Sequence, residues 1–169
     1  MILVESDVSE EWDSSTGWPA LAEGAARAAV AASGHAELGD AGIALEVSVK
    51  FAGDEEVRGL NAAWRGKDTP TNVLSFPMLE AELLPALGST PGGEVLLGDI
   101  ILAHGVCARE AADKGVSVAD HATHLVVHGM LHLLGYDHEQ GEEAAEAMEA
   151  IERKALSGLG IADPYRVHG

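Results

Sequence analysis

Three histidines in the stretch HGMLHLLGYDH, residues 128–138, have the spacing of a metal site. His128 and His132 lie four residues apart in an apolar, uninterrupted segment, so on a helix they project from one face, one turn apart. Two imidazole nitrogens that share a zinc ion at about 2.0–2.1 Å must lie about 3 to 3.5 Å from each other. The spacing therefore predicts that this helix face supplies two zinc ligands.

The third ligand must come from beyond the helix. Gly135 can adopt a positive φ and turn the chain back, which makes His138 the natural candidate. His124 lies about 12 Å from His132 along a helix axis. We expect His124 and His121 to stand behind the ligands or to face solvent.

The resulting pattern, H-x-x-x-H-x-x-G-x-x-H, has the spacing of the metzincin peptidases, but Gly129 stands where they carry a glutamate. That glutamate takes a proton from the zinc-bound water and passes it to the leaving amine, so its absence disfavours peptide hydrolysis. Three neutral imidazoles leave zinc with its full double charge and one position for water, whose pKa can fall to about 7. Such a centre favours an anionic phosphodiester as substrate.

Composition limits the function classes. Ten Lys and Arg against 28 Asp and Glu give a formal net charge of −18, which argues against a nonspecific nucleic-acid coat. A local basic face is still compatible with the sequence, because six of the ten basic residues fall between positions 50 and 114. The single Cys107 excludes an internal disulfide framework, is typical of a small core residue and favours a reducing, cytosolic compartment. We expect neither a secretion signal nor a membrane span.

The elements that must position the histidines follow from hydrophobic periodicity. The 169 residues predict one α+β domain, 1–169, without room for a second. Strands are expected within 1–12, at 44–51, at 69–77 and at 94–103, the third of them at a sheet edge, and helices at 19–32, 54–64, 104–114, 119–134 and 142–156. The excursion 78–93, rich in proline and glycine, could close over a site. We interpret the acids of 139–152 as the solvated face of the last helix, with Met148 and Ile151 facing inward.

Two further stretches, NAAWRGKDTPTNVLSFP (61–77) and LGDIIL (97–102), join the histidine frame in a resemblance to a known family. Over about residues 44–152 the chain resembles the YbeY family of bacterial zinc-dependent, single-strand-specific endoribonucleases. The resemblance implies a compact α+β fold: a small central mixed sheet packed with about five helices and a zinc site at the end of a central helix. It also implies that His128, His132 and His138 hold the Zn²⁺, and that the protein acts in rRNA maturation and ribosome quality control in the cytoplasm.

The resemblance places Arg65 at the arginine of the family pattern R-x-x-D-x-P-T-[DN]-V-L-S-F-P. A planar guanidinium can hold two phosphate oxygens and stabilise charge that develops at phosphorus. The alternative is a surface ion pair between Arg65 and Asp68. Because Asn72 stands where many relatives have aspartate, we assign it no proton transfer. We interpret Asp99 as a buried acceptor that ties down the sheet rather than as a catalytic acid.

Three hypotheses follow. The leading one is a metal-dependent endoribonuclease acting on single-stranded RNA or rRNA, in which zinc-bound water or a zinc-polarised phosphate drives cleavage, with His128 and Arg65 as catalytic residues. The second is a small metallopeptidase that uses Asp99 or Glu94 in place of the missing glutamate. The third is a non-catalytic ribosome-assembly factor whose acidic surface binds basic ribosomal proteins of the small subunit and whose zinc is structural. A structural zinc needs a fourth protein ligand, and we expect the nearest candidate, Asp137, to point away.

Overall fold

A four-stranded mixed sheet organises the chain in the computed structural model, which describes residues 1–137 and 141–165. The strands are β1 (Ile2–Val8), β2 (Ala44–Ala52), β3 (Val73–Pro77) and β4 (Glu94–Ala103). They lie in the order β1-β2-β4-β3, with β1, β2 and β4 parallel and β3 antiparallel to β4. All four predicted strands are confirmed, and the short strand β3 lies at an edge as expected.

Within residues 1–137 and 141–165, six α-helices accompany the sheet. They are α1 (Trp18–Ala32), α2 (Asp54–Arg65), α3 (Leu84–Leu87), α4 (His104–Lys114), α5 (Val118–Leu133) and α6 (Glu142–Gly158), with 3₁₀ turns at Ala36–Asp40 and Ala81–Leu83. The five predicted helices are all present, with ends that differ from the predictions by two residues at most. The additional helix, α3, is a single turn inside the 78–93 excursion, where Leu84 is fully buried and anchors the segment. The α+β class is confirmed.

Helix α5 lies at the centre of the larger hydrophobic core, packed against α1, α6 and the β3–β4 side of the sheet. Every residue from His121 to Leu133 is buried except His128 and His132. A helix that is apolar on nearly all sides must be enclosed by other elements, and the partly exposed His128 and His132 mark the place where α5 reaches the surface. Helix α2 covers a second, smaller cluster on the sheet, formed by Ala52, Val57, Leu74 and Ala103.

A bulge in β4 brings the strands and α5 close together. The pairing of β2 with β4 moves from Glu46 opposite Leu96 to Val47 opposite Gly98, which leaves Leu97 as an extra residue. A Cβ atom at Gly98 would lie 2.5 Å from the carbonyl oxygen of Phe76 and 2.6 Å from Cδ2 of Leu133. Gly98 therefore marks a point where the strand backbone and helix α5 approach more closely than any side chain would permit.

The other predictions about the core and the membrane can also be compared with the structure. Cys107 is fully buried, as expected, and burial raises the pKa of its thiol to about 12. Within residues 1–137 and 141–165, no helix combines the length and the apolar character needed to cross a bilayer.

Candidate functional site

The last two turns of α5 carry the histidine pair. The Nε2 atoms of His128 and His132 lie 3.0 Å apart, which is the separation expected of two ligands on one zinc ion. The chain then turns at Gly135, which has the predicted positive φ, 95°, and its N–H donates to the carbonyl of His132. The third predicted ligand, His138, lies outside the described residues, among which no group of three His, Cys, Asp or Glu donors forms a metal site.

A buried glutamate lies directly behind His128. Glu152 of α6 is 0% exposed, and its Oε1 lies 2.5 Å from Nδ1 of His128. The expectation that the acids up to residue 152 face solvent is wrong for Glu152, because it shares the inward stripe of α6 with the buried Met148 and Leu156. Helical periodicity contained this signal, since Glu152 follows Met148 by four residues. The inward orientation predicted for Met148 is confirmed, and Ile151 is partly buried against the core.

Two further groups bond or approach the same carboxylate. The hydroxyl of Tyr165 donates to Oε2 of Glu152, and Nε2 of His124 lies 3.5 Å from Oε1 and 3.3 Å from the Tyr165 oxygen. Burial alone would raise the pKa of Glu152, but the nearby His124 and the hydrogen bonds from His128 and Tyr165 hold that pKa well below its usual range. An ionised Glu152 can accept the Nδ1–H of His128, which favours the tautomer whose Nε2 lone pair faces His132.

His121 and His124, in the first two turns of α5, lie in the interior next to the histidine pair, and neither faces solvent. His121 is 3% exposed and His124 is 6% exposed. Nε2 of His121 lies 2.8 Å from Oε1 of Glu110, and burial lowers the pKa of the imidazole. The Nδ2 group of Asn72 donates to the same Glu110 oxygen at 3.0 Å, so this side chain ties the start of β3 to α4.

His128 and His132 line a surface groove of about 800 Å³. Arg65, an exposed residue, lines it, and the alternative ion pair with Asp68 is absent because Asp68 pairs with Arg58 at 3.0 Å. Within the described part of the chain, no carboxylate lies within salt-bridge distance of Arg65. The groove is lined by Trp64, Arg65, Thr71, Asn72, Val73, Leu74, Ser75, Phe76, Pro77, His128, His132, Gly135, Tyr136 and Asp137.

The other acids considered from the sequence are placed differently from what we expected. Asp99 is only half-buried and makes no side-chain hydrogen bond with the described residues, so it is not the buried acceptor we expected. Neither Asp99 nor the exposed Glu94 lines the groove, whereas Asp137, expected to point away, does. None of the described groove residues comes from 78–93, so this excursion does not cover the histidine pair.

Packing explains the glycine that follows His128. A Cβ atom at Gly129 would lie 2.9 Å from Cγ2 of Ile100 and 3.1 Å from Oγ of Ser75. The Ser75 hydroxyl also donates to the Gly129 carbonyl at 3.4 Å, which shows how closely α5 approaches β3. A glutamate at position 129 would have to displace the helix from the sheet.

Comparisons with known proteins agree with the resemblance and extend it. A family model described as Endoribonuclease YbeY matches residues 12–160, a wider range than the 44–152 expected. Endoribonuclease YbeY of Rhizorhabdus wittichii is 54% identical over 167 residues, covering 99% of this chain and 98% of its own. Endoribonuclease YbeY of Novosphingobium aromaticivorans is 55% identical over 165 residues, covering 98% and 96%. The solution structure of a Thermotoga maritima protein matches with a TM-score of 0.55 at 23% identity, covering 99% and 100%, and supports the fold alone.

Replacing Gly129 with alanine tests the packing account. We expect Gly129→Ala to lower the free energy of unfolding by about 1–2 kcal/mol, because overpacking against the fully buried Ile100 outweighs the gain in helix propensity. The matched control is Gly59→Ala in α2, where nothing lies within 4 Å of the new Cβ; we expect it to raise that free energy by about 0.5–1 kcal/mol. Urea unfolding measures both, and a Gly129→Ala protein as stable as the unsubstituted chain would contradict the account.

Proposed function

Because the chain belongs to the YbeY endoribonuclease family, we propose that it is an endoribonuclease that cleaves single-stranded RNA with a zinc ion held by His128, His132 and His138. The observation that carries the metal assignment is the 3.0 Å separation of the two Nε2 atoms, with Nδ1 of His128 bonded to the buried Glu152. A carboxylate behind a histidine is the usual support of a zinc ligand. The donor set therefore fits zinc, with His138 contributing from outside the described residues.

Zinc in this site would supply an activated water or a polarised phosphate oxygen. The protein's own side chains would orient the ligand and bind the substrate. Glu152 fixes the tautomer of His128, and Arg65 is placed in the same groove to hold two oxygens of the scissile phosphate. The side chain of His128 is 22% exposed, which favours a centre that substrate can reach over a sealed structural one.

The charge distribution supports Arg65 as the phosphate-binding residue. Three of the six cations of the 50–114 region are paired with nearby carboxylates: Lys50 with Glu56 at 2.5 Å, Arg58 with Glu55 and Asp68, and Arg109 with Asp54 at 3.4 Å. Arg65, Lys67 and Lys114 have no such partner within the described residues. Two of these three cations lie at the end of α2, and Arg65 lines the groove itself.

The proposal extends to the cellular role. We assign the protein to rRNA maturation and ribosome quality control in the cytoplasm, with rRNA as substrate. The net charge of −18 suits a basic partner, such as a ribosomal protein of the small subunit. A metallopeptidase is disfavoured, because Asp99 and Glu94 do not line the groove.

The first test is metal-dependent cleavage. We expect the purified protein to cut a single-stranded RNA oligonucleotide, and chelation or His132→Ala to reduce the rate at least about 100-fold, because both remove the metal from the groove. Added zinc should restore the chelated protein but not the variant. His104→Ala, which removes a histidine packed against Trp12 and not lining the groove, is the control and should stay active. Cleavage that survives both chelation and His132→Ala would exclude the zinc mechanism.

The second test concerns Arg65. We expect Arg65→Lys to lower kcat about 10-fold and Arg65→Ala about 100- to 1,000-fold, because lysine keeps the charge but cannot bind two oxygens in a plane. Thermal stability should not change, since the side chain is exposed and has no ion pair within the described residues. Arg58→Ala, which removes the ion-paired arginine of the same helix, should stay near the original rate. An Arg65→Lys protein with unchanged kcat would rule out bidentate phosphate binding.

The third test measures metal affinity rather than cleavage. We expect Glu152→Gln, which keeps the volume but removes the charge, to weaken zinc binding about 10- to 100-fold in competition with a chelating dye. Tyr165→Phe removes one hydrogen bond to the same carboxylate and should have a smaller effect in the same direction. Glu146→Gln, at an exposed position of α6, is the control. If Glu152→Gln binds zinc as tightly as the original chain, Glu152 does not orient the ligand.

A further inference from the structure

Trp64 is exposed in a way that the fold does not require. Of the three tryptophans, Trp12 and Trp18 are 2% and 3% exposed, whereas Trp64 is 72% exposed, more than any other large apolar residue in the described part of the chain. A single exposed apolar side chain is ordinary on a protein surface. Trp64, however, lines the same groove as Arg65 and the histidine pair, so its exposure coincides with the place where substrate must bind.

The local structure holds the indole at the groove. Trp64 lies in the last turn of α2, and Gly66, with φ of 70°, ends the helix just beyond Arg65. Phe76 of β3 meets the indole with ring centroids 6.2 Å apart and planes inclined by 63°. This edge contact supports the indole from the strand side and leaves most of the ring surface open to the groove.

Nucleobases are the part of RNA that an exposed indole recognises best. Every base has an aromatic face, so stacking on a tryptophan binds single strands with little sequence preference. Bases within a duplex are already stacked on their neighbours and present no such face. Since consecutive helix residues point about 100° apart, Trp64 and Arg65 can contact different parts of one nucleotide, the base and its phosphate.

We propose that Trp64, supported by Phe76, is a stacking subsite for an unpaired nucleobase next to the phosphate held by Arg65. The inference rests on the proposed function and gives a physical reason for selecting single strands over duplexes, because the subsite accepts a base only from an unpaired strand. It also supplies affinity that does not depend on counterion release, which matters for an RNA-binding surface on a body of net charge −18.

Tryptophan fluorescence tests the subsite without cleavage. Trp64 is the solvent-accessible fluorophore, so a single-stranded RNA oligonucleotide added in excess chelator should quench it, while a duplex of the same sequence should not. Trp64→Ala should weaken RNA binding, measured by anisotropy of a labelled oligonucleotide, about 10- to 100-fold. Trp64→Phe should retain most of the affinity but lose the quenching. Leu83→Ala, an exposed apolar residue outside the groove, is the control for general surface effects.

An oligonucleotide with a single abasic position identifies the contact as a base. Scanned along the strand, one abasic position should weaken binding to the original protein by the same factor as Trp64→Ala, and should cause no further loss in that variant. Equal abasic losses in both proteins, unchanged RNA affinity of Trp64→Ala, or no measurable RNA binding under chelation would overturn the subsite. If Trp64→Ala instead loses only binding to a basic protein partner, the residue belongs to a protein interface and the subsite is wrong.

The same measurements separate this inference from the proposed nuclease. Zinc-dependent cleavage with no role for Trp64 in binding would leave the proposed function standing and remove the subsite. Base-dependent quenching by a protein that never cleaves RNA would leave the subsite standing and remove the proposed function.

Discussion

The buried contact between Glu152 and His128 is the interaction on which the site depends. An ionised carboxylate removed from water is costly unless hydrogen bonds replace its hydration, and here His128 and Tyr165 each donate to it, with His124 close by. The contact joins α6 to α5 at the turn where the core opens to the groove. It also decides which nitrogen of His128 carries a proton, and so directs the Nε2 lone pair toward His132. Without this contact the two rings would still share a helix face, but Glu152 would no longer fix the tautomer of His128.

The second constraint is the close approach of α5 to the sheet. Gly129 on the helix and Gly98 on the strand both lie where a Cβ atom would collide with a neighbour, so α5 lies closer to β3 and β4 than side chains at these two positions would allow. This packing excludes a glutamate directly after His128. The difference from the peptidase pattern therefore follows from the packing of the core. The groove combines the two histidines with Arg65, and this combination suits a phosphodiester better than a peptide.

Much of this arrangement could be predicted from the sequence, because the signals were local. Periodicity located the strands and the long helices, and a four-residue interval placed His128 and His132 on one face. The features that sequence reasoning missed depend on contacts between distant segments. Glu152 was hidden among the acids of α6, although its interval from Met148 marks the buried stripe, and nothing local indicates that Tyr165 returns to it. Similarly, proximity in sequence suggested Asp68 as the partner of Arg65, but Arg58, further back on α2, takes that carboxylate.

The most direct measurement of the central claim is anomalous diffraction at the zinc edge from crystals of the full chain grown with one equivalent of zinc. The account predicts one zinc ion within about 2.0–2.1 Å of the Nε2 atoms of both His128 and His132, with a coordination position taken by solvent. A zinc ion bound elsewhere, or one enclosed by four protein side chains, would contradict it.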